Sequence, residues 1–67
     1  SNEVATKDGK WTYWHENGQK SEERNYKDGT KDGKCTEWYE NGQKRWEGNY
    51  KDGFKEYSKE FEDDIPF

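Results

Sequence analysis

Leucine and methionine are absent from this sequence, and Val4, Ala5 and Ile65 are its whole aliphatic supply. A layered aliphatic core is therefore excluded. A single core in a chain this short adds only about 3–5 kcal/mol unless it is stapled. The one cysteine, Cys35, rules out an intrachain disulfide and implies no redox compartment. The one histidine, His15, has no second imidazole and no thiol pair to share a zinc ion of usual spacing. No stretch approaches the roughly 20 apolar residues of a membrane-spanning helix. Basic clusters are missing too: Lys and Arg are scattered among more numerous acids for a net charge of −4, which speaks against nucleic acid.

What the chain does have is rings. With 42% charged residues it would read as disordered, but 18% are aromatic and they recur at fixed positions, which disordered segments do not show. The stretch KDGKWTYWHENGQKSEERNYKDGT, Lys7 to Thr30, returns as KDGKCTEWYENGQKRWEGNYKDGF, Lys31 to Phe54, with 17 of 24 positions identical. A fixed short period marks a repeat array in which each unit packs only on its neighbours. Residues 7–30 and 31–54 are thus two repeats. Residues 1–6 read as the end of a preceding repeat, with 1–2 a tag remnant, so a longer parent protein is expected. Residues 55–67 read as a decayed final strand and a tail, since Pro66 cannot extend a ladder.

Each repeat places Trp, Tyr and Thr before an Asn-Gly step and a second ring-bearing segment after it. Asn17-Gly18 and Asn41-Gly42 predict two-residue type I′ hairpin turns, in which both residues take positive φ. That register opposes Trp11 to Arg24, Tyr13 to Glu22 and Trp14 to Ser21. In the second repeat it opposes Cys35 to Gly48, Glu37 to Trp46 and Trp38 to Arg45. The Tyr13–Glu22 pair thereby becomes Glu37–Trp46, one ring and one carboxylate with the strands exchanged. The segment Lys27 to Gly33, with its two Asp-Gly steps, predicts a longer turn between hairpins. The expected fold is all-β: an elongated, twisted, single-layer antiparallel meander of five or six strands.

One face of that meander gathers Trp11, Tyr13, Tyr26, Tyr39, Trp46 and Tyr50, with Lys20 and Lys44 expected to lie among them. This row is the candidate binding surface, because Tyr and Trp dominate interaction hot spots. It would equally serve to pack upon itself. The other chemistry-bearing residues read as structural. His15 has Tyr39 as its counterpart, so the slot takes any flat amphipathic ring. Cys35 stands in the Trp11 slot as a small filler opposite Gly48. Asp28, Thr30, Asp32 and Gly33 resemble the opening of a calcium loop, but Tyr39 stands where the twelfth ligand, Glu, belongs. Glu22 and Glu23 alternate faces, so they cannot act as a catalytic pair. No cofactor, no metal and no catalytic activity are expected.

The pattern GKWxxWxENGQKxxExNYKDG resembles the MORN repeat, above all the short variant found in tandem in bacterial proteins. The resemblance rests on Gly9, Lys10, Trp11, Trp14, Asn17, Gly18, Glu23, Tyr26, Asp28 and Gly29. Their partners are Gly33, Lys34, Trp38, Asn41, Gly42, Glu47, Tyr50, Asp52 and Gly53, with Cys35 departing from the usual ring. It implies a scaffolding or binding module that organises membranes or partners, and the partner expected here is a protein. One family of such repeats is named for antitoxins, which would make the partner a toxin. Related repeats are appended to plant phosphatidylinositol-phosphate kinases, but this chain has neither a kinase's motifs nor room for them. A membrane-surface or phosphoinositide partner is the alternative, through Lys20, Lys44 and the turn lysines Lys27, Lys31 and Lys51, against the net negative charge. Exposed edge strands also offer a route to self-association.

Overall fold

The computed structural model describes residues 5–62. The tail from Asp63 and most of the preceding repeat read at 1–6 lie outside them. Six strands form one antiparallel sheet: β1 (Gly9–Trp14), β2 (Lys20–Lys27), β3 (Thr30–Lys31), β4 (Gly33–Trp38), β5 (Lys44–Lys51) and β6 (Phe54–Glu60). Their order is β1-β2-β4-β5-β6, with β3 also paired to β2. The molecule measures 57 × 28 × 13 Å, and all the strands of the described residues lie in the one sheet, with no second layer among them. This is the all-β meander that the repeat pattern predicts.

The turns differ from the expectation, and they differ by exchange. Positive φ at both central residues occurs at Asp28-Gly29 (51° and 82°) and Asp52-Gly53 (50° and 85°). These close two-residue loops between Lys27 and Thr30 and between Lys51 and Phe54. At Asn17-Gly18 only the glycine is positive, at 88°. There Gly18 N donates to His15 O at 3.0 Å and His15 N to Gln19 O at 2.8 Å, which makes a three-residue loop, Glu16 to Gly18. Asn41-Gly42 repeats it, with Gly42 N donating to Tyr39 O at 3.0 Å. The Asn side chain explains the choice: Asn17 Oδ1 accepts from Gln19 N at 3.0 Å, and Asn41 Oδ1 from Gln43 N at 2.9 Å. This local bond holds the loop without asking Asn for positive φ.

A longer loop ought to shift the register, yet Trp11 still opposes Arg24 and Tyr13 opposes Glu22. A bulge restores it. Trp14 pairs with Lys20 and not Ser21, leaving Ser21 as the extra residue; in the second repeat Trp38 pairs with Lys44 and Arg45 is extra. An extra residue also reverses the facing of what precedes it. Lys20 and Lys44 are therefore not on the ring face: they turn to the opposite face and reach Glu23 and Glu47, each at 3.1 Å.

The segment between hairpins is no long turn. The first Asp-Gly step is the tight turn, and the second is a bulge in one strand. β3 and β4 both pair with β2, and Asp32 N donates to Asn25 O at 2.9 Å where they interrupt. Further bonds tie the repeats together. Asn25 Nδ2 donates to Lys34 O at 2.6 Å, and Asn17 Nδ2 to Glu40 O at 2.8 Å. His15 Nε2 donates to Trp38 O at 2.9 Å, and Tyr39 Oη in the matching slot donates to Phe61 O at 3.2 Å. The imidazole and the phenol thus do one job: each carries a donor from one repeat to the backbone beyond it. Burial is slight. Cys35 and Thr36 are the buried side chains among the described residues, on the strand that lies mid-sheet.

Candidate interaction face

Alternation along β1, β2, β4 and β5 places Trp11, Tyr13, Tyr26, Trp46 and Tyr50 on one face, and Tyr39 follows Glu37 by two residues onto it. Glu22 opposes Glu37 where the two repeats join, so the face runs continuously across both. The rings neither pack as a self-covering row nor stand bare. Trp11 is 41% exposed, and the other five are half-buried. One ring pair is close, Trp46 with Tyr50, at 6.4 Å between centroids and 52° between planes.

What separates the rings is cations. Lys7 Nζ lies 4.8 Å from the centre of Trp11 and 5.2 Å from that of Tyr26. Lys31, its counterpart one period on, sits 4.9 Å from Tyr50. Arg24 lies 4.8 Å from Tyr13. At exposed sites each such contact adds about 0.5–1 kcal/mol and holds the ring in place. Arg24 also donates from Nε to Glu22 at 2.7 Å and from Nη1 to Tyr26 Oη at 3.2 Å. The bonds to Tyr26 and then to Glu22 raise its pKa still further, fixing a permanent charge there.

The second repeat solves the same position differently. Arg24 becomes Gly48, and the Trp46 indole lies over it: a Cβ on Gly48 would sit 2.6 Å from Trp46 Cη2. The large ring therefore demands glycine beside it and the small Cys35 across from it, which accounts for both departures from the first repeat. Beyond Trp46 opens a groove of about 410 Å³ lined by Glu37, Tyr39, Arg45, Glu60 and Phe61.

The opposite face is built from ion pairs. Glu23 meets Lys20 at 3.1 Å and Lys10 at 3.9 Å, and Glu47 meets Lys44 at 3.1 Å and Lys34 at 4.0 Å. The hydrogen bond from Lys44, aided by the charges of Lys34 and Lys59, holds the Glu47 carboxyl below its ordinary pKa. Trp14 stands 61% exposed on this face and Tyr57, opposite Asn49, 54%. At the turn edge the Asp8 and Asp32 carboxylates accept from the backbone of Asp28 and Asp52, at 3.4 and 3.2 Å. The calcium-like run is thus a stack of successive turns. Among the described residues no three of His, Cys, Asp and Glu are grouped to hold a metal ion.

Lys7, Lys31 and Arg24 escape a reading that starts from aromatics alone. The signal was present: the lysine that opens each KDG recurs at the period of the rings it covers.

The fold and this face define a tandem β-hairpin repeat module, one open sheet with a ring-and-cation surface on one side. The family described as MORN repeat variant matches residues 7–28 and again 31–52, and the chain belongs to it. Neither the curated proteins nor the solved structures yielded a match.

Proposed function

We propose that the chain is a non-catalytic module that binds a protein through the ring-and-cation face. One observation carries this reading: six rings from two repeats share a surface that no second layer of the described residues covers, five of them half-buried and four held by a cation. Fixed rings lose little conformational freedom on binding and offer both apolar planes and donors to a partner. In its narrowest form the partner is a cognate toxin, as the resemblance to the antitoxin-named repeats implies. The lipid alternative draws less support, because Lys20 and Lys44 are committed to carboxylates and Lys31 to Tyr50.

The test is affinity capture from the source lysate with three baits: the native chain, Tyr26→Ser/Tyr50→Ser, and Trp14→Ser on the opposite face. Retention of one stoichiometric protein by the native and Trp14→Ser baits, and its loss from the double variant, supports the reading. Loss with Trp14→Ser alone moves the interface to the other face. No retained protein, together with co-sedimentation on phosphoinositide vesicles that disappears at high salt, favours lipid.

A further inference from the structure

β6 is an outer strand of the sheet, and all seven of its residues are exposed. Phe54 and Tyr57 on it are 77% and 54% exposed, among the barest large rings of the chain. Its sequence runs Phe54, Lys55, Glu56, Tyr57, Ser58, Lys59, Glu60, with Phe61 following. The strand opens on a lysine and closes on a glutamate, so a reversed copy of it can set Lys55 against Glu60.

Two identical antiparallel strands meet across a twofold axis perpendicular to the sheet, and the residues brought opposite one another must share a face. Glu56 decides which do. Asn49 pairs with Tyr57 and Tyr50 with Lys55, so Glu56 is an extra residue outside the alternation, drawn aside by Asn49 Nδ2 at 3.2 Å. Lys55, Ser58 and Glu60 then face the ring side, while Phe54, Tyr57 and Lys59 face the other. Phe61 N donates to Arg45 O at 2.9 Å, which turns the backbone groups of Lys59 and Tyr57 toward β5 as well. Those of Ser58 and Glu60 point outward, toward solvent.

We propose that β6 joins two copies of this chain edge to edge, antiparallel, with the twofold axis beside Ser58. In that register the two Ser58 residues exchange backbone hydrogen bonds. Lys55 opposes Glu60 of the second copy on the ring side, and Tyr57 opposes Lys59 on the other. Neighbouring registers lose this match: an axis beside Lys59 sets lysine against lysine, and one beside Tyr57 leaves Lys55 opposite Ser58. The lysines and the bulge that guard an edge against indiscriminate pairing here select one register. The other outer strand, β1, reads Gly-Lys-Trp-Thr-Tyr-Trp with no acid, and a reversed copy of it matches no charge. The product is a ten-strand sheet, counting β3 with β4, whose ring face doubles in length. This inference is independent of the protein-binding reading.

Sedimentation equilibrium across a concentration series tests it. The native chain is expected to dimerise. Lys55→Glu and Glu60→Lys, which set like charges opposite at two symmetric places, should each weaken the dimer roughly tenfold or more. Lys55→Glu/Glu60→Lys, with unchanged composition, should restore it, and Lys10→Glu on β1 should leave it intact. A native chain that stays monomeric at all concentrations overturns the proposal. So does a dimer indifferent to Lys55→Glu, a charge swap no better than its single changes, or a Lys10→Glu variant as weak as Lys55→Glu.

Discussion

Gly48→Ala is the substitution whose cost follows most directly from the geometry. The new Cβ would sit 2.6 and 2.7 Å from Trp46 Cη2 and Cζ2 and 2.9 Å from the Tyr57 carbonyl oxygen. Backbone conformation is no obstacle, because Gly48 is not among the glycines with positive φ. The indole must tilt away and β6 must retreat slightly, which by analogy with overpacked cores costs about 1–3 kcal/mol. Removing a glycine from the unfolded chain returns about 0.4–1 kcal/mol. The net expectation is a loss of about 1–2 kcal/mol, seen as a fall in Tm of roughly 5–15 °C for a domain of this size. Thermal and urea melts followed by tryptophan fluorescence measure it. In a Trp46→Ser background the indole contact is gone and only the carbonyl contact remains, so the cost should shrink by about half. An unchanged or raised Tm for Gly48→Ala, or an equal cost in both backgrounds, would refute the claim that the indole lies on this glycine.

Other changes probe the remaining contacts. Gly18→Ala and Gly42→Ala should each destabilise by about 1–2 kcal/mol in urea melts, since each forces a left-handed conformation on a residue with a side chain. Tyr39→Phe should cost about 0.5–1.5 kcal/mol through the lost bond to the Phe61 carbonyl, whereas His15→Tyr, which copies the next repeat, should be nearly neutral. Cys35, 3% exposed, should resist thiol reagents in the native chain and react only as it unfolds. Glu47 has its folded pKa lowered, so its contribution is present above the ordinary carboxyl value of 4.5 and is lost as pH falls through the folded value. Glu47→Gln should therefore lower stability at neutral pH and flatten the acid side of a stability–pH profile.

The period made the fold class legible. Rings alternating with charged residues on either side of a glycine step can satisfy their backbones only as hairpins, and two copies can shield their edges only by joining. The pairs Tyr13–Glu22 and Glu37–Trp46 followed from the same pattern. The turn types did not, because Asn-Gly and Asp-Gly both suit positive φ and composition alone cannot rank them. The deciding factor was the Asn side chain, whose bond two residues on stabilises a three-residue loop. Nor is the compensating bulge visible, since Ser21 and Arg45 share no residue type, and a register without it puts Lys20 and Lys44 on the wrong face. The rings of the candidate surface were legible as one row. Their covering by Lys7 and Lys31 was not, because a lysine beside Asp-Gly reads as a turn residue until the sheet brings it over a ring.

The continuous face across both repeats depends on the junction of β2 with β4. Cross-strand nuclear Overhauser effects across that junction, between Glu22 and Glu37 and between Glu23 and Thr36, test it directly. The expected result is a set of contacts there as strong as those within each hairpin. Contacts confined to the two hairpins, with none between Glu23 and Thr36, would mean that the repeats do not share a sheet and that no single ring surface exists.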